Sequence, residues 1–203
     1  MTTRNAQREA TRARILQAAI KVFTEKGFHG ASTRDIAAVA DTNQGLITYH
    51  FSSKDELWRA AAQALFEALD QRLQQRMASV DASDPSEFAR EAIREYVRYV
   101  AEHPELIRLM IDEGKVADER MRWLVDNLIR PRFDSITPLM SSIDMVSDDD
   151  ILPHAFYALA GAASLIFAVA PECQQLTGRN PQEPDAVETH ADFVANLLIP
   201  PGT

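Results

Sequence analysis

Apolar side chains recur at the three- and four-residue spacing of an α-helix along most of the chain. The first such stripe consists of Ile15, Ala18, Ala19, Val22 and Phe23. It stops at Gly27, and glycine commonly follows the last turn of a helix because it adopts positive φ without strain. The pattern predicts a first helix over roughly residues 8–26.

Three further helix starts lie within the first sixty residues. Ser32 with Asp35, and Ser53 with Glu56, have the spacing of a capping box, in which hydroxyl and carboxylate accept hydrogen bonds from helix-start amides. Asn43 is a natural N-cap. These signals predict a short helix to residue 40, a second short helix ending near residue 50, and a long helix to about residue 77.

The first short helix has a buried side that is predicted to consist of Ile36, Ala37 and either Val39 or Ala40. A tight turn at Asp41 and Thr42 separates it from the next helix. In that helix Ile47 and Phe51 are four residues apart and should anchor one side in a small core.

Helical patterns fill the second half as well. Capping signals and prolines predict helices over roughly 85–101, 104–114 and 121–140, the last bent at Pro131. An uncharged helix, Ile151 to Ala170, precedes a predicted loop with Pro171, Gly178, Pro181 and Pro184, and a last helix covers 185–199. No two-residue strand period competes, so we predict an all-α protein of about nine helices. We predict two domains. Residues 1–53 form a three-helix helix-turn-helix domain, and residues 54–203 form a helical domain for ligand binding and dimerisation.

Composition narrows the class of protein. The 203 residues include one cysteine, Cys173, which excludes an internal disulfide framework. No apolar signal segment is seen at the start, which favours a cytoplasmic location. The uncharged stretch from Ile151 to Ala170 has the length of a membrane span, but alanines, glycine and proline dilute it, and we expect a buried helix.

Charge is distributed unevenly along the chain. Residues 1–60 hold nine Lys/Arg and six Asp/Glu, a balance of +3, whereas residues 61–203 hold twelve and twenty-four, a balance of −12. A basic module joined to an acidic body is expected when one end meets a polyanion.

Two short helices joined by a tight turn, the second with polar residues at its start, describe a helix-turn-helix whose second helix enters the DNA major groove. Gly45 costs about 1 kcal/mol in a helix, but without a Cβ it lets the backbone approach the duplex. The amides of Asn43 and Gln44 suit phosphate or adenine, and Leu46 or Thr48 suits a thymine methyl. A capped surface helix without a partner is the alternative interpretation.

The segment "ILQAAIKVFTEKGFHGASTRDIAAVADTNQGLITYHFSSKDELW" resembles the DNA-binding domain of the TetR family of bacterial transcriptional repressors. The resemblance covers residues 11 to about 60, and the rest of the chain matches in length and helix count. Where the family usually has Gly-Val-Ser at the turn, this chain has Asp41-Thr42-Asn43, and Thr48 replaces a common tyrosine. These departures affect the operator sequence more than the fold.

The resemblance implies a set of DNA contacts. It assigns phosphate or an adjacent base edge to Thr33 and Arg34, bases to Gln44, Gly45, Leu46 and Thr48, phosphates to Tyr49 and His50, and the DNA backbone to Lys54. Alternatives remain: His50 as a helix cap, Tyr49 as packing, and Arg34 as a solvated charge. Lys54 beside a helix start has an unfavourable dipole interaction that a phosphate would relieve.

The resemblance also implies a homodimer on a palindromic DNA operator, built from the last two helices. The candidate interface residues are Ala158, Gly161, Ala162, Leu165, Val194, Leu197 and Leu198. Small residues such as Ser164 would allow close helix approach, and the alternative is that both helices belong to the monomer core.

A small-molecule effector that releases DNA is implied in the same way, with its pocket inside the helical domain. The candidate ligand-binding residues are Tyr96, Tyr99, His103, Met110, Trp123, Asn127 and His154. Most aromatic and methionine positions at helical spacing are plain core, which is the alternative for each.

Two other functions compete with a ligand-responsive repressor. One is a DNA-binding regulator whose second domain senses a protein partner, and the other is a helical-bundle enzyme. Di-iron bundles use Glu-x-x-His pairs, and none of the five histidines follows a glutamate at that spacing. We therefore expect no enzyme, no catalytic residues, no metal site and no cofactor.

Overall fold

The computed structural model describes residues 3–143 and 150–200. Within these residues every regular element is helical, which confirms the all-α prediction. The first four helices are α1 (Thr3–Gly30), α2 (Thr33–Val39), α3 (Gln44–His50) and α4 (Lys54–Met77). The others are α5 (Pro85–Glu102), α6 (Pro104–Glu113), α7 (Glu119–Leu124), α8 (Arg130–Ser142), α9 (Leu152–Ala168), α10 (Ala170–Thr177) and α11 (Pro184–Leu198), with a π-helical turn at Val125–Ile129.

The first helix begins five residues earlier than predicted and breaks at the predicted glycine. Gly27 has φ 67° and ψ 170°, a backbone conformation that side chains rarely tolerate, and a last helical turn follows it to Gly30. α1 packs against α2, α4 and α6, so it joins the short helices to the rest of the chain.

The predicted long helix over 121–140 is three segments. Pro131 has no N–H to continue the α-helical ladder, and the preceding Arg130 N–H bonds to Val125 O, five residues back. The distortion is thus a π-turn placed before the proline, and Pro131 lies in the first turn of α8.

The predicted loop after residue 170 is wrong over its first part, which forms α10. Pro171 lies in the first turn of this helix, where its missing N–H costs nothing. The helix ends at Gly178 (φ 72°). α9 and α10 meet at 72°. In the part of the chain that the structure describes, no single helix is long and apolar enough to cross a membrane, although this bent pair passes that test jointly.

The core runs without interruption from the three N-terminal helices into the body. Trp58 on α4 is fully buried at this junction. Its ring meets Phe28 of α1 edge-on at 6.2 Å and Trp123 of α7 at 6.0 Å. Movement of α4 or α7 therefore reaches the N-terminal helices through aromatic packing.

α5 lies at the centre of the body and carries a ladder of ion pairs. Arg94 pairs with Asp192 and Arg98 with Glu188 on α11, each at 2.8 Å. On the other side Glu95, which is 3% exposed, accepts a bond from Arg72 of α4 at 2.5 Å. The Arg98 guanidinium holds the pKa of Glu188 below its usual value. The ladder thus ties α4, α5 and α11 together.

Candidate nucleic-acid interface and ligand cavity

Short-range capping bonds position α2. The Ser32 hydroxyl accepts from the Asp35 N–H at 3.1 Å, and the Ser32 N–H donates to the Asp35 carboxylate at 3.1 Å. This reciprocal pair is the predicted capping box. Bonds from Ser32 and from Lys26, whose Nζ is 3.1 Å away, lower the pKa of Asp35. Val39 is 48% exposed and Ala40 is buried, which decides the alternative that the pattern left open.

The turn into α3 is equally local. Asp41 adopts positive φ (48°), which aspartate tolerates better than most residues. Asn43 caps α3, since its Oδ1 accepts from the Leu46 N–H at 2.9 Å. Ile47 and Phe51 are buried, as predicted, and fix one side of the helix. The opposite side faces solvent.

The exposed side of α3 carries the predicted base-reading residues, which are Asn43, Gln44, Gly45, Leu46 and Thr48. The Gln44 amide donates to the Thr33 hydroxyl at 3.1 Å and so links the starts of the two short helices. Tyr49 is 66% exposed, and Arg34 is also exposed. The structure therefore brings these residues onto one surface, called below the reading surface. Their DNA contacts stay predictions.

Gly45 has a second, purely local role. A Cβ built at this position would lie 3.1 Å from Asn43 Oδ1, the oxygen that caps α3. The absence of a side chain thus leaves room for the cap as well as for an approaching base edge.

Two of the predicted phosphate contacts have protein partners. His50 is half-buried, with its ring 5.1 Å from that of Tyr49. Lys54 Nζ lies 4.4 Å from the Phe28 ring, and Arg120 covers the same ring at 4.1 Å. The contact with Phe28 gives Lys54 a partner in the absence of DNA.

Two arginines of α1 that the sequence pattern did not single out lie near the C-terminal end of α3. Arg8 lies 5.8 Å from the Tyr49 ring, and Arg12 lies 4.9 Å from the Phe51 ring. The available signal was the four-residue spacing of these arginines, which places them on one side of α1.

Two adjoining cavities lie in the body, with volumes of about 260 and 690 Å³. Both are lined by Phe66, Leu69, Tyr96, Ile129, Phe156 and Ala160. The larger one reaches the surface at Lys115 and Arg130, which are exposed. Volumes of this order accommodate a small organic ligand.

Two of the seven predicted ligand residues line these cavities. Tyr96 lines both cavities and Met110 lines the larger one. The other five, which line neither, are Tyr99, His103, Trp123, Asn127 and His154.

Each of these five has another environment. The Tyr99 hydroxyl donates to Leu65 O at 3.1 Å, and His103 lies 3.1 Å from the Glu105 carboxylate. The Trp123 ring packs against Trp58 at the junction with the N-terminal helices, and the Asn127 amide donates to the Trp123 carbonyl at 2.8 Å. His154 is exposed near the start of α9.

The polar groups inside the cavity are few. Burial raises the pKa of Tyr96 to about 12, and its hydroxyl is hydrogen-bonded to Ser164. Ser164 in turn donates to Ala160 O at 2.5 Å. At neutral pH the Tyr96 hydroxyl is therefore protonated, and because Ser164 gives its own proton to Ala160 O, the Tyr96 hydroxyl donates to Ser164.

The predicted dimer residues divide into three groups by exposure. Leu165 and Leu197 are 53% and 57% exposed, and Ala158 and Gly161 are exposed too. Ala162 and Leu198 are half-buried. Val194 is fully buried inside the monomer, so the prediction for this residue is wrong. Tyr157 and Phe193, exposed at 71% and 61%, extend the apolar surface of α9 and α11.

The described residues contain no group of three or more His, Cys, Asp or Glu side chains that could hold a metal ion.

A solvent-facing second helix, held from behind by a small core, defines a helix-turn-helix DNA-binding protein. Residues 15–61 match the family model described as "Bacterial regulatory proteins, tetR family". These residues are therefore similar to the DNA-binding domain of TetR-family regulators, and the match leaves the rest of the chain outside it.

Relatives and solved structures extend this comparison. The HTH-type transcriptional repressor NicS of Pseudomonas putida is 31% identical over 111 residues, 55% of this chain and 51% of NicS. The repressor Rv3405c of Mycobacterium tuberculosis is 29% identical over 212 residues, 98% of this chain and 100% of Rv3405c. The match thus spans about half the length of NicS and all of Rv3405c.

The structure of AibR in complex with isovaleryl coenzyme A and operator DNA has a similar fold. Its TM-score is 0.73, at 18% identity, covering 94% of this chain and 99% of AibR.

Proposed function

We propose that the chain is a homodimeric repressor that binds a palindromic operator through α3 and is released by a small-molecule effector. The observation that carries the proposal is the reading surface, which faces solvent while Ile47 and Phe51 hold α3 from behind. In this proposal residues 1–53 read DNA and residues 54–203 bind ligand and dimerise, and the protein acts in the cytoplasm, where its operator lies.

Base reading by α3 is supported by the exposure of its polar side chains, whose hydrogen bonds are to neighbouring residues. Gln44 and Thr48 lie on the exposed side, and one bidentate amide contact discriminates between bases by about 1–3 kcal/mol. A single short helix reads few base pairs, so a second copy related by a two-fold axis is needed to specify an operator.

DNA selection from a random library tests this part of the proposal. We expect a palindrome whose half-sites are about 34–36 Å apart, one turn of the duplex. Fluorescence anisotropy should then show preference for the selected site over unrelated duplex at moderate salt. Equal affinity for both duplexes would refute sequence-specific regulation.

The apolar surface of α9 and α11 supports dimerisation. Leu165, Leu197, Tyr157 and Phe193 expose large side chains on two helices that pack against each other. Apolar groups clustered in this way commonly mark protein interfaces.

Sedimentation of Leu197→Glu tests the dimer, with Leu176→Glu as a matched control. Leu176 is 82% exposed on α10, outside the proposed interface. We expect Leu197→Glu to sediment as a monomer and the control to remain dimeric. A dimeric Leu197→Glu variant would place the interface elsewhere.

The cavity supports an effector with an apolar chain and an anionic head group. Its walls are largely apolar, the hydroxyls of Tyr96 and Ser164 are a polar pair among them, and Lys115 and Arg130 supply positive charge at the mouth. Lys115 also pairs with Asp112 at 2.7 Å, which leaves Arg130 as the stronger candidate for the head group. AibR, which has a similar fold, binds isovaleryl coenzyme A, and acyl thioesters of coenzyme A have both features.

Thermal shift measurements test the effector class. We expect isovaleryl coenzyme A or a longer acyl homologue to stabilise the chain, by about 2.7 kcal/mol at a hundred times the dissociation constant. Coenzyme A alone is the control for the head group.

Two variants localise that binding. Ala160→Phe should fill the space shared by both cavities and abolish the shift, whereas Tyr96→Phe should weaken it. A shift that survives Ala160→Phe would place the ligand outside the cavity, and no shift with any acyl chain would reject this class.

A further inference from the structure

The excess of positive over negative charge in residues 1–60 lies before the segment that matches the family model. Residues 1–14 contain four arginines and one glutamate, a balance of +3. Residues 15–60 contain five Lys/Arg and five Asp/Glu, a balance of zero. The family model matches residues 15–61. The excess positive charge that a DNA phosphate would meet is therefore on the first half of α1.

Two of those arginines lie against the aromatic side chains at the end of α3. The Arg8 guanidinium is 5.8 Å from the centre of the Tyr49 ring, and that of Arg12 is 4.9 Å from the Phe51 ring. Both arginines are exposed, and so is Tyr49. The contacts are typical of cation–π pairs, and they hold two solvent-facing cations at the C-terminal end of α3, Arg8 against the exposed Tyr49 and Arg12 against the buried Phe51.

The geometry of α1 separates these arginines from a natural control. Residues 8 and 12 are four apart and share one side of the helix, whereas residue 14 points to the opposite side. Arg14 is exposed as well. Arg8, Arg12 and Arg14 thus have the same charge and lie on the same helix, but Arg14 points away from the side that contacts the end of α3.

We infer that Arg8 and Arg12 are additional DNA-binding residues, which contact phosphates flanking the bases read by α3. The contact is to the sugar–phosphate backbone and carries no sequence information, because a guanidinium on a phosphate positions the protein without reading a base. Hydrogen bonds from Ser52 lower the pKa of Glu56, and the charge of Arg12 adds a smaller contribution. Because Arg12 also faces this carboxylate, Arg8 is expected to contribute the larger share. The inference rests on the proposed role of α3.

A purely structural role is the alternative. Cations beside the C-terminal end of α3 also favour its helix dipole, and such a role would brace the helix without touching DNA. The two roles differ in how binding depends on salt, because each phosphate contact adds about 0.9 to the slope of log affinity against log salt concentration.

The experiment measures that slope for the full-length chain by fluorescence anisotropy. The DNA probes are the site selected from the random library and an unrelated duplex of equal length. The variants are Arg8→Gln/Arg12→Gln, the charge-preserving Arg8→Lys/Arg12→Lys, and the opposite-face control Arg14→Gln. Circular dichroism checks that each variant is folded, and single Arg8→Gln serves if the double variant is not.

We expect the slope of the glutamine double variant to fall by about 1.8 for each DNA-bound subunit, on both probes. Between 50 and 200 mM salt the wild type should then lose about tenfold more affinity per subunit than this variant. The lysine variant and Arg14→Gln should keep the wild-type slope.

Two results would overturn the inference while leaving the proposed function intact. They are an unchanged slope in the glutamine variant, whether or not its affinity falls, and an equal effect from Arg14→Gln. A wild-type chain without preference for any selected site would instead reject the proposed function.

Discussion

The bonds that stabilise the N-terminal helices join residues much closer in sequence than the bonds that stabilise the body. In the N-terminal helices, the caps join residues only three apart, Ser32 with Asp35 and Asn43 with Leu46. In the body, α5 is tied to α11 by ion pairs between residues 90 and 98 positions apart. Both cavities are also in the body, lined by residues from α4 to the end of α11.

This difference separates two tasks. The reading surface must have a fixed shape, and neighbouring residues that cap and bury one another provide it. The ligand cavity must respond to occupation, and a space bounded by α4, α5, α8 and α9 changes when any of those helices moves. The aromatic junction at Trp58 is where the two regions meet.

The same substitution in both regions gives the largest expected contrast. Ile36 in α2 is fully buried, so Ile36→Ala should lower the free energy of unfolding by about 2–5 kcal/mol. Ile136 lines the smaller cavity and is half-buried, so Ile136→Ala should cost about 1 kcal/mol. Urea unfolding measures both. Equal losses would mean that the cavity is as tightly packed as the N-terminal core.

Gly45 sharpens the comparison on the DNA side. In Gly45→Val the new side chain crowds the Asn43 cap and the approaching base edge, so operator affinity should fall roughly tenfold to hundredfold. Gly30→Ala is the control in the same region, because a Cβ there makes an ordinary contact at 3.5 Å. Full operator occupancy by a folded Gly45→Val variant would contradict the close approach of DNA at this residue.

A cap and a long-range ion pair can be compared directly. Ser32→Ala should cost about 1 kcal/mol through the lost N-cap. Asp192→Asn removes the pair with Arg94, but the aspartate is 64% exposed, and such pairs contribute about 0.2–1 kcal/mol. Denaturation at low and high salt should show that only the second loss shrinks with salt. A larger loss of stability in Asp192→Asn than in Ser32→Ala would contradict this expectation.

The smallest expected effect is a pH dependence of stability that arises from one histidine of the body. Burial lowers the pKa of His190, whose Nε2 donates to Ala162 O at 2.9 Å. A lowered pKa means that stability is fully present above the unfolded value of 6.5 and declines as the pH falls through the folded value.

Melting curves between pH 7.5 and about 5 measure this dependence. His190→Gln, which keeps an amide donor for Ala162 O, should flatten the profile. If the wild-type melting temperature stays constant as the pH is lowered from 6.5, His190 does not make stability depend on pH.

Short-range signals explain why the reading surface could be predicted from sequence. Ser32, Asp35 and Asn43 act on amides within one turn, so the order of residues alone specified α2, α3 and their exposed sides. The π-turn at Val125–Ile129 and the helix after Pro171 could not be predicted, because proline is compatible both with a bend and with a first turn.

The cavity escaped prediction for a different reason. Phe66, Tyr96 and Phe156 meet through tertiary packing of three helices, which no spacing along the chain encodes. Val194 illustrates the same limit at the dimer surface: an apolar residue of α11 has the same periodicity whether it faces a partner or the monomer core. Arg8 and Arg12 were visible only as a spacing whose partners lay forty residues away.

Because its first fourteen residues carry +3 and residues 61–203 carry −12, the molecule is an electric dipole. The field of a DNA duplex attracts one pole and repels the other, which applies a torque before any atoms touch. Collisions are thereby turned toward the productive orientation, and the acidic pole is kept from lying along the duplex.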